Sequence, residues 1–197
     1  MQRVVTAVTL ALAFGAATPA AAHVSPSVND NNRYLKVTPG ADRIRLAYTV
    51  FYGEVPGRLL RPSIDTDKDG HVSDAEAKVT GDTLGADVAA SLELAVDGKT
   101  TRVTWSTVSV GLGTSDVTGG ALSVDLVAWV CLPTVGGAHE VRLRDRYRMP
   151  NPGETEVKIE DGLGVTIDRS RIGGAADLSH DFERREATRR DRREPRT

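Results

Sequence analysis

A chain of 197 residues with 40% hydrophobic content is long enough for one domain with a substantial core and short for two. Its 25 Lys and Arg against 27 Asp and Glu leave a formal charge of -2, which argues against a nucleic-acid partner. The single cysteine excludes an internal disulfide, so the fold relies on its core and on any ion it holds.

The first predicted element is a secretory signal peptide over residues 1–22. A charged start, Met1-Gln2-Arg3, precedes an apolar run from Val4 to Ala17 and a small-residue cleavage stretch, Ala20-Ala21-Ala22. The run is shorter than the ~20 apolar residues a membrane span needs, and no later stretch comes closer. The expected mature protein begins at His23, is exported to the periplasm or beyond the cell, and has no membrane span.

Most of the following chain alternates with period two, which predicts half-buried strands. In "DRIRLAYTVF", Ile44, Leu46, Tyr48 and Val50 face one way and Arg43, Arg45 and Thr49 the other. In "ALSVDLVAWV", Leu122, Val124, Leu126, Ala128 and Val130 share a face, and Cys131 beyond them is expected to be a buried, inert thiol. "HEVRLRDRYR" sets Val141, Leu143 and Tyr147 opposite a row of four arginines: Arg142, Arg144, Arg146 and Arg148. The turn signal "MPNPG" and then "ETEVKIED" predict a hairpin that would lay a glutamate row beside the arginines. Further strands are expected near 33–38, 92–97, 101–110 and 163–168. The pattern predicts a mainly β fold, an antiparallel, Ig-like β-sandwich over residues 23–172. Residues 173–197 end in "DFERREATRRDRREPRT", too poor in apolar groups to fold alone, and are expected to form a disordered charged tail.

Residues 54–91 break the alternation and predict a helical insertion between two strands. Pro56, Gly57 and Pro62 leave room for about two turns of an entering helix. In the exiting helix Val79, Leu84 and Val88 suit one face, although Gly81 and Gly85 each weaken a helix by ~1 kcal/mol.

Between these helices lies "DTDKDGHVSDAE", residues 65–76, whose crowded carboxylates would repel one another unless a hard cation sits among them. The order of residues matches the EF-hand calcium loop at every position. Asp65, Asp67 and Asp69 take its first, third and fifth positions. Gly70 is the sixth, where the chain turns through a conformation that a β-carbon resists. His71 would offer its backbone carbonyl, Ser73 would act through water, and Glu76 would give both carboxylate oxygens. The predicted ligands are all oxygen and the compartment is exported, so calcium is the expected ion. EF-hands usually pair, and no second loop of this pattern occurs in the chain. A structural clip is therefore expected rather than a sensor that opens a groove.

The stretch from "AHVSPSVNDNNRYLKVTPGADRIRLAYTVFYGEVP" to "IDTDKDGHVSDAEA" resembles the extracytoplasmic N-terminal domain of some bacterial nickel/cobalt efflux permeases. The matching residues are His23, Asn32, Tyr34, Leu35 and Val37, then Arg43, Arg45, Leu46, Tyr48 and Val50, then Val55-Pro56 and Ile64 to Glu76. The sequence lacks the Gly-Asn-Phe that follows the starting histidine in that family, its transmembrane helices and its histidine-rich segment. The resemblance thus implies the fold of the soluble module and not transport.

An alternative function is a nickel, cobalt or copper handling module that serves a separate efflux protein. There His23 would chelate with its amine and imidazole, with His139 as the first partner to try. His71, in the acidic loop, and His180, at the head of the tail, are poorer candidates. No Gly-x-Ser-x-Gly, His-Glu-x-x-His or usefully spaced Cys-His pair occurs, so no enzyme and no catalytic residue is expected. The expected partners are the calcium ion and an envelope protein that the sequence does not identify.

Overall fold

The computed structural model describes residues 28–173 and, for the backbone alone, residues 179–186; the expected signal peptide, His23 and the final residues lie outside them. In chain order the elements are β1 (Asn31–Pro39), β2 (Arg43–Tyr52), α1 (Glu54–Ile64), α2 (Asp74–Ser91), β3 (Leu92–Val96), β4 (Lys99–Thr101), β5 (Trp105–Gly111), β6 (Leu122–Cys131), β7 (Ala138–Asp145), β8 (Pro152–Ile159), β9 (Val165–Ile172) and β10 (Ser179–Glu186). The protein is mainly β. One five-stranded sheet has the order β5-β6-β2-β1-β8, the other β4-β3-β7-β10-β9. Among the described residues no helix is long and apolar enough to cross a membrane.

The strands bury the faces that period two assigns to them. Ile44, Leu46, Tyr48 and Val50 of β2 and Leu122 to Val130 at even positions of β6 are buried, and they share one core with Leu94 and Val96 of β3 and Val141 and Leu143 of β7. That shared core draws on both sheets. Cys131 is exposed, contrary to expectation. Its odd position puts it on the outward side of β6 with Trp129, which lies beside the Arg43 guanidinium at 5.9 Å.

Three expectations about pairing fail, each for a reason that lies far away in the chain. β7 and β8 do not form a hairpin. β7 pairs with β3 and β10, while β8 crosses to the other sheet and runs parallel to β1, so the fold is not wholly antiparallel. The crossing is fastened to β1: Asn31 N–H donates to Asn151 C=O at 2.9 Å, Asn31 Nδ2 to Pro150 C=O at 2.7 Å, and Glu154 N–H to Asn32 Oδ1 at 2.8 Å. The arginine row is instead matched by Glu93 of β3, which bonds Arg146, and by Glu140 within β7, which bonds Arg142.

The strand expected over 101–110 divides into β4 and β5, one in each sheet, with Val103 buried where the chain crosses between them. Within the expected tail, residues 179–186 form β10, which pairs along its backbone with β7 on one side and β9 on the other; residues 187–197 lie outside the described residues. Ladder bonds need no apolar side chains, so composition alone does not report such a strand.

The helical insertion lies between β2 and β3. α1 runs for 11 residues despite its two prolines, longer than the two turns expected. In α2 the buried face is Ala77, Gly81, Leu84, Gly85 and Val88, while Val79 is 67% exposed. The glycines are contact positions rather than weak points. A Cβ at Gly81 would lie 2.8 Å from Val110 Cγ2, and one at Gly85 3.2 Å from Trp105 Cδ1. Trp105 Nε1 then donates to Gly85 C=O at 2.7 Å, pinning α2 to β5.

Candidate metal centre

Residues 65–76 join α1 to α2. The chain turns sharply because Lys68 and Gly70 hold left-handed backbone, φ 61° and 89°. The turn aims successive amides at the carboxylates. Asp69 N–H donates to Asp67 Oδ1 at 3.1 Å, Gly70 N–H to Asp65 Oδ2 at 3.1 Å, and His71 N–H to Asp69 Oδ1 at 2.8 Å. These bonds offset part of the repulsion among the acids.

Ser73 caps α2 with a reciprocal pair of bonds. Glu76 N–H donates to Ser73 Oγ at 3.3 Å, and Ser73 N–H donates to Glu76 Oε2 at 2.9 Å. Glu76 Oε1 accepts from Thr66 N–H at 2.6 Å and Thr66 Oγ1 at 2.8 Å, which ties the end of the loop to its beginning. The Ser73 amide, the Thr66 hydroxyl, the Ser73 hydroxyl and the Thr66 amide hold the Glu76 carboxyl down to about 2.

That depression carries a pH dependence. The bonds to Glu76 stabilise the fold fully above its ordinary value of 4.5, and this contribution is lost as pH falls through about 2. In chelator, the gap in urea midpoint between wild type and Glu76→Gln is expected to close as pH is lowered across that window. A gap that stays constant would contradict the assignment.

Of the six residues singled out by sequence, the structure gathers three. The carboxylates of Asp65, Asp67 and Glu76 can each place one oxygen within 4.8 Å of the other two. Ligands on opposite sides of a calcium ion, at ~2.4 Å each, lie ~4.8 Å apart, so the three carboxylates are close enough to share one ion. Asp69 is not part of that trio and accepts from the His71 amide, while Ser73 is engaged in the cap. His71 is exposed and sits in a β-bridge opposite Asp116.

Asp65 is the telling member. It is 6% exposed, and its Oδ1 is buried without a hydrogen-bond partner. A buried carboxylate oxygen with no donor is costly, so the atom fits a position meant for a cation.

Sequence inspection did not single out Arg61. Its side chain is wholly buried and donates to carbonyls of the β5–β6 connection. Burial pushes the guanidinium below its usual value, and the Asp116 and Glu54 carboxylates act the other way. The only signal available was an arginine four residues ahead of the first acid, on the last turn of a helix.

The histidine alternative meets a different geometry. His139 is 5% exposed; its Nδ1 lies 2.7 Å from Asp97 Oδ2 and its Nε2 3.0 Å from Gly136 C=O. Both ring nitrogens are thus engaged within the fold. His180 lies on β10, and His23 lies outside the described residues.

No family model, no curated protein and no solved structure matches this chain.

Proposed function

We propose that residues 65–76 form an EF-hand-type calcium loop in an exported, two-layer β-sandwich of Ig-like kind, and that the ion is structural. Two observations on Asp65 carry this: its Oδ1 is buried without a hydrogen-bond partner, and its carboxylate gathers with those of Asp67 and Glu76. A hard cation would satisfy it and cancel the crowding of the acids. An all-oxygen donor set in a flexible loop favours calcium over magnesium, which demands a tighter octahedral shell. The core shared by the two sheets supports the sandwich, with the parallel β1–β8 pair as its departure from an all-antiparallel form.

A structural rather than a sensing role is supported by how the helices are held. α1 is tied to the β5–β6 connection by the buried Arg61, and α2 to β5 by close packing at Gly81 and Gly85 and by the Trp105 bond. Calcium titration by calorimetry tests the reading. Wild type is expected to bind one ion, and Asp65→Ala and Glu76→Ala none. Wild-type affinity in either variant would refute the site.

A further inference from the structure

We propose that the β5–β6 connection, residues 112–121, is the structural partner of the 65–76 loop, and that Arg61 is the positioning residue that sets the loop's affinity for its ion. The inference rests on the calcium reading above and concerns how that site is braced.

The loop is tied to the connection by a short antiparallel ladder. Val72 N–H donates to Ser115 C=O at 2.7 Å and Val117 N–H to Gly70 C=O at 3.0 Å, with His71 and Asp116 facing each other between them. The ladder therefore brackets His71, whose carbonyl is the expected backbone ligand. Asp116 is not among the carboxylates that gather at the loop. Its Oδ1 accepts from the Thr118 amide and hydroxyl, both at 2.7 Å, which shapes the connection itself.

Arg61 holds that connection in place. Its Nε donates to Gly120 C=O at 3.1 Å, Nη1 to Thr114 C=O at 2.7 Å and Asp116 C=O at 3.1 Å, and Nη2 to Ala121 C=O at 3.2 Å and to Leu112 C=O. The five acceptors are all backbone carbonyls of one connection. The main-chain oxygen of Arg61 meanwhile accepts from Asp65 N–H at 3.0 Å. One residue thus fixes the first ligand position through its backbone and the strand facing the seventh through its side chain.

Close packing secures the far end of the connection against Arg61 and α1. A Cβ at Gly119 would lie 2.8 Å from Arg61 Cζ, and one at Gly57 of α1 would lie 2.5 Å from Gly120 O. A loop held in its binding geometry loses less freedom when the ion arrives, so it binds more tightly. Removing the brace should act as loss of an outer-shell contact does, at roughly 10–100-fold in metal affinity.

The test compares calcium affinities of the full chain by calorimetry for wild type, Arg61→Met and Val141→Ala. Val141 lies in the core on β7, in the other sheet from β5 and β6 and paired with β3 and β10, so its truncation destabilises without removing a bond of the brace. Arg61→Met is expected to bind roughly 10–100-fold more weakly, and Val141→Ala as wild type does. Wild-type affinity in Arg61→Met, or an equal loss in both variants, would overturn the proposal while leaving the calcium site standing. Absence of calcium uptake by wild type would remove the site and the proposal together.

If Arg61→Met does not fold, amide exchange in wild type decides. The Val72 and Val117 amides should exchange more slowly in calcium than in chelator, by up to roughly 100-fold at a hundredfold excess over the dissociation constant. Equal rates in the two conditions would overturn the proposal.

Discussion

Asp145→Ala is expected to cost about 3–5 kcal/mol of unfolding free energy, the scale for breaking a buried ion pair by removing one partner. Asp145 closes β7 in the second sheet, and every partner of its carboxylate comes from the charged bridge between the sheets or from the chain just beyond it. Its Oδ2 accepts from Arg33 Nη1 of β1 at 2.7 Å and from Tyr48 Oη of β2 at 2.8 Å, and its Oδ1 from Tyr147 N–H at 2.8 Å. The two charged side chains are 5% and 1% exposed. Arg33 Nη2 also donates to Tyr147 C=O at 2.7 Å, and its guanidinium lies 5.7 Å from the Tyr147 ring.

Truncation would leave a buried guanidinium facing no carboxylate, with Arg33 Nε already lacking a partner. The burial that makes the pair costly to break also pushes the Tyr48 hydroxyl far above its usual value, with the Asp145 charge adding to it. Urea denaturation in chelator measures the loss. A cost below about 1 kcal/mol, typical of solvent-exposed pairs, would contradict the role given to this bridge.

Calcium is expected to raise the melting temperature of wild type strongly. An ion that binds only the folded state stabilises it by ~2.7 kcal/mol at a hundredfold excess over the dissociation constant. For a domain of this size that corresponds to roughly 5–10 °C. The physical source is the same crowding that makes the apo loop costly: Asp65 Oδ1 is buried and unpartnered, and two more carboxylates converge beside it. Asp65→Asn should abolish the shift. It should also melt no lower than wild type in chelator, because it removes a charge from a like-charged group. Melting curves that coincide in calcium and chelator would end the calcium reading.

Along β2 and β6 the alternation of apolar and polar residues assigns inward and outward faces, and the buried positions follow it residue by residue. That pattern is legible because the pleat has period two, whatever the strand pairs with. The same alternation places Cys131 outward, and only its apolar surroundings suggested burial. The concentration of acids in residues 65–76 is legible for a similar reason, since it lies within one short loop.

Strand partners were not legible. The expected β7–β8 hairpin rested on a turn signal and matching charge rows, yet β8 lies parallel to β1, on contacts 119 and 122 residues apart in the chain. Gly81 and Gly85 looked like weak points in a helix, because propensity registers a missing side chain and not the valine and tryptophan that fill the space. β10 was hidden by its charge, because backbone ladder bonds leave no mark in composition.

By itself, then, the sequence determined the mainly β class, the inward faces of the strands, the place of the helical insertion and the concentration of acids between its helices. These depend on residues a few positions apart. The tertiary structure alone decided that β8 joins β1, that Arg33 and Asp145 bridge the sheets, and that Arg61 gathers five carbonyls behind the acidic loop. Each of these joins groups that only folding brings together. Their favourable energy comes from burial and mutual satisfaction of polar atoms, which no local pattern encodes.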